Sequence, residues 1–90
     1  MERNRTVAIV NKRGMHARAA ARFAGTAATF TSQISVRRGE LTANGKSIMG
    51  LMMLAAPQGT EITIQAEGPD ADQALEALVA LVSGRFGEAE

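Results

Sequence analysis

Glu61-Ile62-Thr63-Ile64-Gln65-Ala66-Glu67 alternates polar and apolar residues without a break. At the two-residue period of a strand, Ile62, Ile64 and Ala66 share one face and the polar residues share the other. A strand with one wet face belongs in an antiparallel sheet that is covered on one side only. Gly68-Pro69 stops it. Asp70 followed by Gln73 has the spacing of a capping box. From there Ala71, Ala74, Leu75, Leu78, Leu81 and Val82 recur at helical intervals. Ser83-Gly84 closes this last helix with a glycine, and residues 85–90 are expected to fray.

Upstream, Gln33-Ile34-Ser35-Val36-Arg37 also alternates, Arg38-Gly39 turns the chain, and Glu40-Leu41-Thr42-Ala43-Asn44 returns, which reads as a hairpin. The β-branched stretch Thr6-Val7-Ala8-Ile9-Val10 is a first strand, with Val7 and Ile9 facing one way. A helix spans about Ala17 to Ala28, with Ala20, Phe23, Ala24 and Ala27 as its buried stripe and Gly25 off it. Ser47 is placed to cap a short helix through about Leu54. The order is β-α-β-β-α-β-α over a single domain, 1–90. Strands with one apolar face and helices to cover it give an α+β fold, a four-stranded antiparallel sheet with three helices on one side. The first crossover should be right-handed, with another strand between its two parallel strands.

The bulk numbers exclude several classes of function. The 90 residues carry a net charge of +1, no cysteine, no tryptophan, no tyrosine and three phenylalanines. That rules out a disulfide framework or a thiolate site and argues against strong nucleic-acid binding or base stacking. A single histidine makes a metal site unpromising, and no cofactor is implied. No apolar run approaches the ~20 residues of a membrane span. The charged start Met1-Glu2-Arg3-Asn4-Arg5 leads straight into a strand, unlike a signal peptide. A soluble cytoplasmic protein, monomeric by default, is the expectation.

The chemistry concentrates in Gly14-Met15-His16-Ala17-Arg18-Ala19-Ala20-Ala21. His16 is the only histidine, and it stands at or beside a helix N-cap. The first N–H groups of that helix have no intrahelical acceptor, and together with the helix dipole they attract anions. Arg18 adds a planar fork suited to phosphate. A nucleophilic imidazole inside a phosphate cradle points to a histidine that itself becomes phosphorylated. The plainer reading is a surface histidine that only caps its helix.

The helix after Ser47 is apolar almost all round. Leu51 and Leu54 are assigned to the core, leaving Ile48, Met49 and Met52 exposed as a patch that could dock partners. A central, fully covered helix would show the same run of residues.

These segments resemble one family, the histidine-containing phosphocarriers (HPr) of the bacterial phosphotransferase system. The resemblance rests on Gly14-Met15-His16-Ala17-Arg18, on Lys46-Ser47-Ile48-Met49-Gly50-Leu51-Met52, and on Gly59-Thr60-Glu61 through Ala66-Glu67-Gly68, in the family's order and spacing. It implies an open-faced β-sandwich. His16 would accept a phosphoryl group from enzyme I and pass it to enzyme IIA domains, as a stoichiometric carrier and not as an enzyme. Arg18 matches the family's phosphate-binding arginine. Ser47 matches the serine that a dedicated HPr kinase/phosphorylase modifies in many members. Two positions depart from the pattern: Ala19 stands where proline is usual, and Met15 where leucine is usual. The first leaves open whether the protein serves sugar transport or a regulatory, nitrogen-related branch in which it acts as a signalling module. A small nucleic-acid-binding domain is the more distant rival.

Overall fold

The computed structural model describes residues 2–90. In chain order it forms β1 (Glu2–Ala8), α1 (Ala17–Ala27), β2 (Gln33–Arg38), β3 (Leu41–Asn44), α2 (Ile48–Met53), β4 (Glu61–Glu67) and α3 (Ala71–Ser83), followed by a 3-10 turn at Arg85–Gly87. The sheet runs β1-β4-β2-β3, and every neighbouring pair is antiparallel. β1 and β2 both oppose β4, so they are parallel to each other with β4 between them, as the order of elements requires. The strand that reads most clearly in the sequence is thus an inner strand. Ile62, Ile64 and Ala66 are buried, with Ile64 opposite Val36 and Ala66 opposite Ile34.

The helices close the apolar face. α3 packs on β1 and β4, while α1 lies against α2 and α3. The buried stripe of α1 is Ala20, Phe23, Ala24 and Ala27, joined by Ala19. Four alanines among these five let the helix lie close to its neighbours. Gly25 is exposed and off the stripe. In α3, Ala71, Ala74, Leu75, Leu78 and Val82 are buried and Leu81 is half-buried.

Three expectations change. β1 covers Glu2–Ala8, longer at its start than the β-branched run and ending before Ile9, because all seven residues of β4 supply it with partners, from Glu2 opposite Glu67 to Ala8 opposite Glu61. Backbone hydrogen bonds, which do not depend on side-chain pattern, carry the polar residues into the sheet.

Asp70 stands at the N-cap of α3, but its side chain makes no cap hydrogen bond. The carboxylate instead accepts from the backbone N–H groups of Thr31 and Ser32, both at 2.9 Å, and from Ser32 Oγ at 2.5 Å. It fastens the start of β2 to the start of α3. The Ser32 hydroxyl, with the Thr31 and Ser32 amides, lowers the Asp70 pKa from 3.8 to about 2 against the opposing effect of burial. A carboxyl held low in the folded state contributes stability that is complete above its unfolded pKa and is lost as pH falls through the folded one. Melting curves of the wild type should therefore lose this contribution between about pH 4 and pH 2. Asp70→Ala should melt lower than wild type at neutral pH and converge with it at the acid end. Parallel curves over the whole range would show that the carboxylate contributes nothing.

The third change concerns residues 85–90, which pack instead of fraying. Phe86 is fully buried in the core, and its carbonyl accepts from Arg22 of α1. Arg85 and Phe86 both take positive φ, +60° and +53°, and this reverses the chain after α3. Burying an aromatic ring offsets the cost of two left-handed non-glycine residues. The C-terminal segment therefore returns across the start of α1.

Candidate functional site

The site is built on the turn before α1. Gly14 has φ +66°, and a Cβ there would lie 2.4 Å from the Ala56 carbonyl oxygen. Only glycine fits both the backbone conformation and the close approach. Met15 N–H donates to that same carbonyl at 2.9 Å, and the Met15 side chain is buried. The loop that follows α2 therefore holds the loop that presents His16. Leucine and methionine are close in volume, and Met15 fills this buried position.

His16 is the N-cap residue of α1, with extended backbone and its carbonyl accepting from Ala20 N–H at 2.8 Å. Its ring does the capping: Nδ1 accepts from the Arg18 backbone N–H at 3.3 Å. The other ring nitrogen, Nε2, meets a carboxylate oxygen of Glu88. These contacts fix the tautomer. A backbone N–H can donate only to an unprotonated nitrogen, and a carboxylate only accepts, so the ring proton is on Nε2 and the lone pair on Nδ1. That lone pair points at the positive end of α1.

Asn11 completes the arrangement. It is fully buried, and its Nδ2 donates to the Gly14 carbonyl at 2.8 Å and to Glu88 Oε1 at 3.0 Å. Both partners are acceptors, which settles the orientation of the amide. Lys12 N–H donates to the Glu90 carbonyl at 2.8 Å and holds the chain end in place. Burial pushes the Glu88 carboxyl up. The hydrogen bonds from Asn11 and His16, with the charges of His16 and Arg13, bring it below the ordinary carboxylate value.

Arg18 is exposed on the first turn of α1. Its side chain, with Lys12, Arg13, Glu88, Ala89 and Glu90, lines an open cavity of about 650 Å³ that shares Glu88 with the His16 ring. Its three cations, of which Lys12 and Arg13 lie on the turn before α1, suit an anionic group, and the carboxylates of Glu88 and Glu90 share the same lining. Ala19, where the resemblance expects proline, is wholly buried.

Ser47 caps α2 as expected, its Oγ accepting from Gly50 N–H at 3.1 Å. Leu51 and Leu54 are buried, and Ile48, Met49 and Met52 are exposed, Met49 by 75%. Met53, which the sequence pattern does not assign to either face, is 77% exposed and extends the patch. The sequence pattern likewise does not place Asn11, Phe86 or Glu88 at the site. The single aromatic in an otherwise polar tail, Arg85-Phe86-Gly87-Glu88, was the available signal that the tail is anchored. No helix among the described residues is long and apolar enough to cross a membrane.

Residues 3–84 match the family described as the PTS HPr component phosphorylation site. The phosphocarrier protein HPr of Cupriavidus necator is 46% identical over 86 residues, covering 96% of this chain and 97% of its own. The phosphocarrier protein NPr of Shewanella violacea is 46% identical over 85 residues, covering 94% and 93%. The crystal structure of HPr-C-His from Thermoanaerobacter tengcongensis superimposes with a TM-score of 0.93 at 45% identity, over 98% of this chain and 99% of that one.

Proposed function

This chain belongs to the HPr family of phosphotransferase-system phosphocarriers, and on that premise we propose that it carries its phosphoryl group on Nδ1 of His16. The observation that carries the reading is the Nδ1 lone pair held at the N-terminus of α1, with Arg18 on the first turn of that helix. The donor is phosphorylated enzyme I and the acceptor a histidine of an enzyme IIA domain. Attack by Nδ1 makes one N–P bond as the donor's breaks. The helix dipole and Arg18 then stabilise the charge of the group in transfer. The protein is a monomeric cytoplasmic relay, and substrate choice lies with its partners. Incubation with phosphoenolpyruvate and enzyme I tests this. One acid-labile phosphoryl group per chain is expected, and no uptake would overturn the reading.

A second reading has its own support, because an NPr is among the relatives, at the same 46% identity as the Cupriavidus necator HPr. In it the carrier serves a regulatory, nitrogen-related branch. Comparing the rates of phosphorylation by a sugar-branch and a nitrogen-branch enzyme I separates the two.

Ser47 is the regulatory site in this proposal, modified by an HPr kinase/phosphorylase. Its hydroxyl is half-buried at the cap, beside the exposed Ile48, Met49 and Met52 that dock partners. A phosphate there still offers an acceptor to Gly50 N–H, so the fold should tolerate it. On docking, the added charge must be desolvated at the edge of an apolar patch. Ser47→Asp should raise the Michaelis constant for enzyme I by about tenfold, with melting temperature and saturated rate close to wild type. Met49→Gln should raise the same constant without adding charge. A lower saturated rate with an unchanged Michaelis constant would place the effect in the chemistry and not in docking.

A further inference from the structure

We infer that Glu88 is the positioning residue for His16: through Nε2 it holds the imidazole in the tautomer and orientation that leave Nδ1 unprotonated, as the nucleophile must be. The inference rests on the phosphoryl-acceptor reading of His16 and adds to it a group 72 residues away in the chain.

Four observations support it. The Glu88 carboxylate meets Nε2, while the Arg18 backbone N–H occupies Nδ1, so the two ring nitrogens have opposite hydrogen-bonding roles. Both groups of the pair are largely shielded, with side-chain exposures of 17% for His16 and 16% for Glu88. Glu88 is itself oriented by the fully buried Asn11, whose amino group also binds the Gly14 carbonyl two residues before His16. The segment that brings Glu88 there is fastened on both sides, by buried Phe86 with its Arg22 contact and by the Lys12 N–H to Glu90 carbonyl bond. Asn11, Glu88 and His16 thus form a chain of orientation. In it a carboxylate directs a nucleophilic base and is itself directed by a third group.

The transfer balances with Glu88 in this role. The Nδ1 lone pair gives up its hydrogen bond from the Arg18 N–H and forms the N–P bond, and the electron pair of the donor's P–N bond stays with the donor nitrogen. The proton on Nε2 does not leave. The ring gains positive charge as the bond forms, and the Glu88 carboxylate faces that charge across the hydrogen bond it already accepts. When the carrier gives the group up, the same steps run in reverse.

The experiment uses the full chain with Glu88→Ala and Glu88→Gln. Glutamine keeps an oxygen that can accept from Nε2 but lacks the charge. Imidazole 15N spectra of the unphosphorylated protein, with the ring neutral, should show Nε2–H and a bare Nδ1 in wild type. In Glu88→Ala the two ring nitrogens should move toward each other as the tautomers mix. The saturated rate of phosphoryl uptake from enzyme I should fall about tenfold in Glu88→Ala with an unchanged Michaelis constant. Glu88→Gln should fall between Ala and wild type. A wild-type rate and spectrum in Glu88→Ala would overturn the inference. So would a faster rate, which would make Glu88 a plug over the imidazole, or a change in the Michaelis constant alone, which would make it part of the docking surface. The spectra involve no phosphoryl transfer, so they test Glu88 even if His16 proves not to be the acceptor. Acid-labile uptake by His16→Ala would reveal that separate failure.

Discussion

His16→Ala is expected to take up no acid-labile phosphoryl group from enzyme I while keeping its fold. The chain has one histidine, so no second imidazole can substitute for it. The ring is not part of the hydrophobic core. Its removal frees the Arg18 N–H to bind water, as the first amides of many helices do, and leaves Glu88 with its Asn11 contact. Neither change exposes apolar surface, so the melting curve should stay cooperative and close to wild type. The chemical test is sharp because a phosphoryl group on an imidazole nitrogen is released in acid, whereas a phosphate ester at Ser47 is not. Mass spectrometry before and after brief acid treatment distinguishes them. Acid-labile labelling of His16→Ala at the wild-type level would remove His16 from the mechanism.

Arg18→Ala should slow transfer in both directions by about a hundredfold, near 2.7 kcal/mol of transition-state stabilisation. In the free protein Arg18 is exposed, and a charge in water contributes little. A docked partner excludes that water from around Arg18, and the guanidinium then acts at lower dielectric on the group being transferred. The loss should therefore appear in the rate at saturating enzyme I more than in the Michaelis constant. Arg18→Lys should recover only part of it, since an ammonium cannot make the two parallel hydrogen bonds of a fork. Wild-type kinetics in Arg18→Ala would mean that the helix N-terminus, with Lys12 and Arg13, is sufficient.

The parts of this protein that could be read from its residues are those where the deciding interactions are local. The alternation of β4 assigns Ile62, Ile64 and Ala66 to the core because the strand period is two, whatever lies opposite. The stripes of α1 and α3 follow from the helical period in the same way. His16 and Ser47 cap their helices because a residue in extended backbone just before a helix meets that helix's own unpaired amides. Each of these assignments depends on residues within about one turn of chain.

What could not be read depends on contacts across long stretches of chain. Asp70 has the sequence of a local cap, yet its carboxylate binds the Thr31 and Ser32 amides, 39 and 38 residues away, because the packing of α3 brings the start of β2 within reach. In α2 the assignment of Leu51 and Leu54 to the core and of Ile48, Met49 and Met52 to the surface holds, but nothing in the apolar run places Met53, which packing of the helix against α1 and β3 leaves in solvent. Residues 85–90 have the composition of a loose end, and the buried site that Phe86 fills, with Arg22 binding its carbonyl and the Lys12 N–H binding that of Glu90, holds them in place. The carboxylate beside the imidazole follows from that anchor. No spacing rule links Glu88 to His16, because their proximity results from two left-handed residues and one aromatic ring that return the chain to its first helix.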